Sequence, residues 1–544
     1  MLGLMSERPL LISSILTHAA NYHGDVEIVS RTVEGPVRRH TYRDAERRIK
    51  QLANALLRLG IQPGDRVGTL AWSTFRHVEL YYAISGIGAV CHTINPRLFD
   101  DQLVYIINHA GDRLLFVDAT FLPIVERLVQ RLPADCRIVP LTGEDEPVET
   151  GLTTLPCFET LLADEDAAFE WPEFDERTAA ALCYSSGTTG HPKGALYSHR
   201  STILHTFALS LPDAISISAR DVVCPIVPLF HVCGWGIPFA APMTGAKLVL
   251  PGPHADGASL YELFETEGVT LALGVPTIWL GFDAYLCATG RECSTLRRIF
   301  SGGSAVPSSM IEAYARRGID VIHAWGMTEM SPLGTVAALT AKHRALDPQA
   351  RLMLKAKQGR PIFTVEMKLV DDAGQELPHD GRSMGELLVR GPWVISGYFA
   401  DEAASAVAVE PDGWLHTGDM ATIDPDGYLQ ITDRKKDVIK SGGEWISSID
   451  LENAAVAHED VAEAAVIAIP DARWGERPLL IVTPLPGRRP EREALIELLA
   501  RQFPKWMLPD AVVCIDQMPH TATGKIMKTQ LREMFARVAP EPST

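Results

Sequence analysis

The sequence contains no Cys-x-x-Cys pair; its nine cysteines (Cys91, Cys136, Cys157, Cys183, Cys224, Cys233, Cys287, Cys293 and Cys514) are scattered and odd in number. That pattern excludes a zinc-ribbon site and a disulfide framework, and it fits a reducing compartment. Positive charge is also in short supply: Lys and Arg total 50 against 68 Asp and Glu, for a net charge of −18 at pH 7. A general nucleic-acid binder needs a basic footprint, so that class is excluded, and an anionic membrane surface is a poor match. A local basic pocket for phosphates remains compatible with the acidic total. Residues 222–245 carry no Asp, Glu, Lys or Arg and are long enough to cross a bilayer. Pro225, Pro228, Pro238 and Pro242 interrupt them, so the segment is expected to form buried, pocket-lining strand and loop, with no transmembrane span. The N-terminal residues show no cleavage-site pattern, so no secretory signal is expected and a cytoplasmic location is. Internal repeats are absent, and only the short tail 538–544 is compositionally biased.

What is present is ordinary for a folded protein: 544 residues, 46% hydrophobic and 22% charged. At ~100–200 residues per domain, two or more units are expected. Apolar β-rich runs alternate with amphipathic segments. Residues 43–59 have helical apolar spacing and stop at Gly60. Residues 66–71 read as a buried strand, 77–87 as a helix, 114–118 as a strand and 121–132 as a helix. This alternation predicts α/β layers with mainly parallel strands. Around 365–390 the pattern changes to hairpin β structure, with a turn at Asp371-Asp372-Ala373-Gly374. The charge run Thr432-Asp433-Arg434-Lys435-Lys436-Asp437 marks a boundary, which divides the chain into 1–433 and 434–544. The second part alternates helix and strand enough for a small α+β domain.

The most informative segment is Tyr184-Ser185-Ser186-Gly187-Thr188-Thr189-Gly190-His191-Pro192-Lys193-Gly194. Glycines let backbone approach a ligand, hydroxyls and N–H groups bind phosphate oxygens, and the lysine adds positive charge. A Walker loop requires Gly-Lys-Ser/Thr opening a helix. Here His191-Pro192-Lys193 follows Gly190 and the chain returns toward an apolar strand, so that loop is excluded.

Seven further motifs follow in order. They are Pro228-Leu-Phe-His231-Val-Cys-Gly-Trp235-Gly; Gly302-Gly303-Ser304-Ala305; and His323-Ala324-Trp325-Gly326-Met327-Thr328-Glu329. After these come Gly413-Trp-Leu-His-Thr417-Gly418-Asp419; Thr432-Asp433-Arg434; Lys440-Ser441-Gly442-Gly443-Glu444-Trp445; and Pro519-His-Thr-Ala-Thr523-Gly524-Lys525. Together with the 184–194 segment they resemble, over nearly the whole chain, the adenylate-forming superfamily of acyl-CoA synthetases, luciferases and peptide-synthetase adenylation domains. The wording is most similar to short- and medium-chain acyl-CoA ligases, including those for 3-methylmercaptopropionate.

The resemblance implies a fold: an α/β protein whose large N-terminal domain has mixed and parallel sheets and a β-rich subdomain, followed by a small mobile α+β domain. It implies ATP, Mg²⁺ and coenzyme A as cofactors, a small carboxylic acid as substrate, and a homodimer as a family-level expectation. It implies two half-reactions: a carboxylate attacks the α-phosphate of ATP and releases pyrophosphate, then a thiol takes the acyl group and releases AMP. Ser185 to Gly190 and Lys193 are the implied phosphate cradle. Gly302, Gly303, Ser304, His323, Ala324, Trp325, Gly326, Met327, Thr328, Asp419 and Arg434 complete the nucleotide site, with Asp419 on the ribose. Trp325, often Tyr in the family, keeps a flat face for adenine but lacks the hydroxyl. Glu329 is the implied Mg²⁺ ligand, and Lys193, Thr328, Glu329 and Lys525 the implied catalytic set. Lys436 is the implied pivot. Lys440, Ser441, Gly442, Gly443, Glu444 and Trp445 form the loop implied to line the pantetheine path, its two glycines admitting a thin arm.

The acid pocket is expected from 228–238, 275–280, 302–305 and the stretch after Glu329, with Val275 on its wall and Trp235 as its gate aromatic or, as the other reading, a core tryptophan. His231 is a pocket candidate, with a core histidine as the other reading. These segments carry almost no charge, so a second carboxylate or an ammonium would be unpaired there. A monocarboxylate with an apolar tail is therefore expected. Two alternatives remain at this level: an acyl-adenylate passed to an acceptor other than CoA, and a non-catalytic acyl-nucleotide sensor.

Overall fold

A computed structural model describes residues 1, 3–146, 148–185, 191–442, 444–471, 473–520 and 526–535. Of the expected site residues, Ser186 to Gly190, Gly443 and Lys525 lie outside these. Among the described residues the strands form four sheets of six, nine, four and five.

The six-stranded sheet runs Arg137–Pro140, Asp112–Val117, Arg66–Leu70, Val90–Thr93, Ala179–Tyr184 and Gly194–Ser198. Its pairs are parallel up to the last, which is antiparallel. Helices between the parallel strands bury both faces, as parallel sheets require. The helix Tyr42–Arg58 shows why these segments fold locally. Thr41 accepts from the Asp44 N–H while Asp44 accepts from the Thr41 N–H, so the first turn is closed reciprocally. Ile49, Leu52, Ala53 and Leu56 then recur at helical spacing and are buried.

The nine-stranded sheet is parallel through Arg298–Ser301, Leu271–Gly274, Val222–Pro225 and Lys247–Leu250, and antiparallel at both ends. The hairpin expected at 365–390 forms: Glu366–Val370 pairs antiparallel with Gly385–Arg390. Leu415–Ile423 and Leu429–Arg434 extend it to four antiparallel strands. One hydrophobic cluster runs through the helices between the large sheets and includes Tyr82, Leu229, Trp235, Phe300 and Trp325.

The smaller C-terminal domain has its own sheet, in which Gly475–Pro484 pairs with Val461–Asp471 and with Ala511–Cys514. Both faces are covered. Leu451, Leu495 and Leu499 pack on Val466 and Leu480, while Met518 and Leu531 pack on Ile467, Leu479 and Ile481.

Two expectations are corrected. Residues 222–245 are not strand and loop throughout: Ile237–Thr244 is a helix. Pro238 stands at its first positions, where the missing N–H has no helical partner to lose, and Pro242 falls near the end of a helix only eight residues long. Residues 121–132 are not one helix. Leu122–Leu128 is α-helical, with single 3₁₀ turns at Ala119–Phe121 and Val129–Arg131. The nine cysteines are all unpaired thiols. No helix among the described residues is long and apolar enough to cross a membrane.

Candidate active site

The strands Ala179–Tyr184 and Gly194–Ser198 form an antiparallel hairpin in which Tyr184 faces Gly194. The segment 185–193 is its connection, so the chain does return to a strand, as the Pro192-Lys193 step predicted. The Ser185 N–H donates to the Lys193 carbonyl at 2.9 Å and the Ser185 hydroxyl accepts from the Lys193 N–H at 3.2 Å. These bonds close the base of the loop. The Lys193 ammonium stands 5.0 Å from the centroid of the Tyr398 ring, within cation–π range.

Tyr398 in turn reaches Glu329, its hydroxyl donating to Oε1 at 2.8 Å. Burial, and then the Glu329 carboxylate beside it, push the Tyr398 phenol well above its ordinary range, so it stays a donor. Thr328 and Glu329 open a 3₁₀ turn, Thr328–Met330, and both are buried. The turn is fixed from two sides: the Tyr197 hydroxyl donates to the Thr328 carbonyl at 2.5 Å, and the Ile395 N–H donates to the Glu329 carbonyl at 2.9 Å. Just before it, a Cβ at Gly326 would lie 1.9 Å from the Pro332 carbonyl oxygen, so only glycine fits.

A second cluster comes from strand register. Asp419 and Arg434 are directly opposite on antiparallel strands. The Arg434 Nε lies 2.9 Å from Asp419 Oδ1, and the Trp325 Nε1–H donates to Asp419 Oδ2 at 3.0 Å. Asp419 is 3% exposed, and its own N–H donates to the Thr417 hydroxyl at 3.1 Å. Trp325 therefore supplies a hydrogen-bond donor that the flat-face expectation omitted. Replacing it with Phe keeps the ring and removes the donor. At ~1.5–3 kcal/mol for a bond to a charged group, Trp325→Phe should weaken nucleotide binding by roughly ten- to a hundredfold. An ATP titration by calorimetry checks this, and unchanged affinity would show that the N–H does not matter.

Around Trp235 the backbone is left-handed over five residues, Val232 to Gly236, with φ of 39° at Val232 and 53° at Trp235. Non-glycine residues adopt this at a cost of ~1–2 kcal/mol each, so the surroundings must hold it. They do: the Tyr81 hydroxyl donates to the Leu229 carbonyl, the Tyr82 hydroxyl to the Pro238 carbonyl at 2.8 Å, and Trp235 packs edge-on to Phe300 at 6.2 Å. A Cβ placed on Gly303 would lie 3.4 Å from Val275 and 3.8 Å from the Trp235 ring. Trp235, Val275, Gly302 and Gly303 thus converge. His231, just before this turn, lines a small cavity with Thr93, Asn95, Tyr184 and Phe230. The His323 ring is turned to the Ala356 carbonyl at 3.0 Å, and burial lowers its pKa to about 4.

The segment 440–445 is a tight hairpin of Ile439–Ser441 and Glu444–Ile446. The Lys440 ammonium lies 4.6 Å from the Trp445 ring centroid, and Ser441 accepts from Arg477 at 3.1 Å. Gly442 has φ +60°, and a Cβ there would meet the Trp474 ring at 2.8 Å. The turn and Trp474 are what require this glycine here.

Sequence reasoning missed Tyr398, Tyr197, Thr417 and Trp474. Tyr398, Tyr197 and Trp474 are single aromatic residues outside the motifs, and Thr417, although inside one, was given no role of its own; the part of each depends on contacts across the fold.

Among the described residues no group of three or more His, Cys, Asp or Glu could enclose a metal ion. Glu329 presents one carboxylate oxygen to Tyr398. That suits Mg²⁺, which is commonly held by one or two carboxylates together with substrate phosphates.

Comparison with known proteins accords with this geometry. The chain is 52% identical over 536 residues to the 3-methylmercaptopropionyl-CoA ligase of Ruegeria lacuscaerulensis, covering 98% of this chain and 99% of that one. It is 47% identical over 539 residues to the medium-chain-fatty-acid–CoA ligase of Ectopseudomonas oleovorans, covering 99% and 98%. The crystal structure of the anthranilate CoA ligase AuaEII in complex with anthranoyl-AMP superposes with a TM-score of 0.86 at 25% identity, covering 97% of this chain and 99% of that one. The model of the AMP-binding enzyme C-terminal domain matches residues 450–525. The model of the AMP-binding enzyme matches residues 16–399, and the chain belongs to that family.

Proposed function

We propose that the protein is an ATP-dependent acid–CoA ligase for a short or medium-length apolar monocarboxylate, with fatty acids and 3-methylmercaptopropionate as the candidates. The carboxylate attacks the α-phosphorus of ATP, the bond to the β-phosphate oxygen breaks, and acyl-AMP and pyrophosphate form. The CoA sulfur then attacks the acyl carbon, its proton is lost to solvent, and AMP leaves as the thioester forms.

The observation that carries this reading is the Asp419 carboxylate, held between the Trp325 N–H and the Arg434 guanidinium. Such a buried, double-oxygen acceptor suits a ribose diol. The Glu329–Tyr398–Lys193 chain supplies the phosphate side. When bound at Glu329, Mg²⁺ would neutralise phosphate charge. The loop 185–193 binds the outer phosphates, and Thr328 donates to the α-phosphate. Trp235 and Val275 bound an acid pocket without charge. Lys525 offsets the repulsion between carboxylate and α-phosphate. The hairpin 440–445 borders the pantetheine path. The domains 1–433 and 434–544 turn about Lys436 between half-reactions. A cytoplasmic homodimer, of twice 59.5 kDa, completes the proposal.

The test incubates the protein with ATP, Mg²⁺ and acids from propionate to decanoate plus 3-methylmercaptopropionate, with and without CoA. Pyrophosphate and thioester should both appear, and kcat/KM should peak on an uncharged tail. Pyrophosphate without thioester in the presence of CoA would overturn the ligase reading.

A further inference from the structure

Within the charge run at the domain boundary, Lys435 and Lys436 are exposed but Asp433 and Asp437 are buried. Asp433 is 1% exposed and sits on the last strand of the four-stranded sheet, three residues before Lys436. Its Oδ2 accepts the N–H of Ser448 at 2.9 Å, and its Oδ1 accepts the N–H of Arg434 at 2.7 Å. Beside it the Ser447 hydroxyl donates to the Thr432 carbonyl at 2.6 Å. Ser447 and Ser448 open the helix Ser448–Val456 of the small domain, and Ile449 of that helix packs on the hydrophobic cluster of the large body.

Lys528 closes the same junction. Its ammonium donates to the Ser448 hydroxyl and lies 2.6 Å from Glu452. Burial works against its charge, yet Glu452 and Asp433 together hold its pKa above the ordinary lysine value. Burial raises the Asp433 carboxyl, with Lys528 opposing. The two groups meet on Ser448, Asp433 at its N–H and Lys528 at its hydroxyl, in a desolvated setting where attraction between opposite charges is strong.

These contacts divide cleanly by position. Lys528–Glu452 and Arg532–Asp437 join residues that all follow Lys436, so they travel with the small domain. The contacts of Thr432 and Asp433 with Ser447 and Ser448 span Lys436, so a turn about it must break them.

We propose that Asp433 is a positioning residue that latches the small domain in the orientation seen here. Lys528 is its counter-charge, and it lies three residues beyond Lys525 on the same chain. Release of the latch sets how readily the domain turns. The inference rests on the two-step reading above and adds to it the side chain that holds one of its two orientations.

The test uses the full chain labelled with donor and acceptor fluorophores at Cys287 of the large body and Cys514 of the small domain, both exposed. The partly exposed Cys136, Cys157 and Cys293 are replaced by Ser. Wild type should show one dominant distance. Losing a buried hydrogen bond to a charged acceptor, Asp433→Ala should raise the share of a second distance by roughly tenfold. The rates of pyrophosphate exchange and of thioester formation from supplied acyl-adenylate should move in opposite directions, which a general loss of stability would not produce. If the Ala variant does not fold, Asp433→Asn keeps an acceptor for the Ser448 N–H, removes the charge facing Lys528, and should move both readouts the same way by less. An unchanged distance distribution, or two rates falling together, overturns the latch. A wild type that makes no acyl-adenylate overturns the ligase reading instead, and the distance distribution alone then decides the latch.

Discussion

A Lys525→Ala variant is expected to lose at least ~100-fold in acyl-adenylate formation while converting supplied acyl-adenylate to thioester at nearly the wild-type rate, because one preorganised charge at a developing anion is worth about that much. The first half-reaction brings a carboxylate against an α-phosphate, two anions whose repulsion rises toward the transition state. A lysine between them offsets that repulsion where it is greatest, and an alanine cannot. In the second half-reaction a thiol attacks a neutral mixed anhydride, and no such pair of anions meets. ATP–pyrophosphate exchange measures the first step, and thioester release from chemically prepared acyl-adenylate measures the second. Equal losses in both would remove Lys525 from this role.

Glu329→Gln is expected to have the second-largest effect. The side chain is 8% exposed, and the Tyr398 hydroxyl donates to Oε1 at 2.8 Å. Glutamine keeps the shape and can still accept from Tyr398, so the turn Thr328–Met330 should survive. What is lost is a negative oxygen for a hard cation, and an amide is a much weaker ligand for Mg²⁺. Pyrophosphate exchange should fall by about 100-fold at fixed Mg²⁺, in line with the loss of one electrostatic contributor. The Mg²⁺ concentration for half-maximal rate should rise, and thioester formation from supplied acyl-adenylate should change little. A Mg²⁺ titration of exchange activity, with circular dichroism to confirm folding, reads this directly. An unchanged Mg²⁺ dependence would move the metal elsewhere.

Both effects concern residues that sit inside contiguous motifs, and this is why they could be read from the chain. Short segments such as 184–194 and 323–329 place glycine, hydroxyl and charge within a few residues, so backbone geometry alone keeps them together. Tyr398 carries no such mark. It matters because the connection between the strand Gly385–Arg390 and the helix Glu402–Ala408 brings its hydroxyl to Glu329 and its ring under Lys193, contacts that span 69 residues in one case.

Without coordinates, the alternation of apolar and amphipathic runs predicts α/β layers, the charge balance argues against a polyanion binder, and the motif order resembles the adenylate-forming superfamily, with a boundary expected near Lys436. They do so because those properties depend on residue type and local spacing. Three matters were decided only by tertiary packing. Trp325 donates to Asp419, and Asp419 faces Arg434 because two strands pair in one register. Gly442 makes room for Trp474. Asp433, which reads as one more charge in a polar run, is buried at the junction of the domains. A carboxylate that burial strips of water must take its partners from whatever the fold brings beside it, and here the partner, the Ser448 N–H, belongs to a helix that the chain reaches only after Lys436.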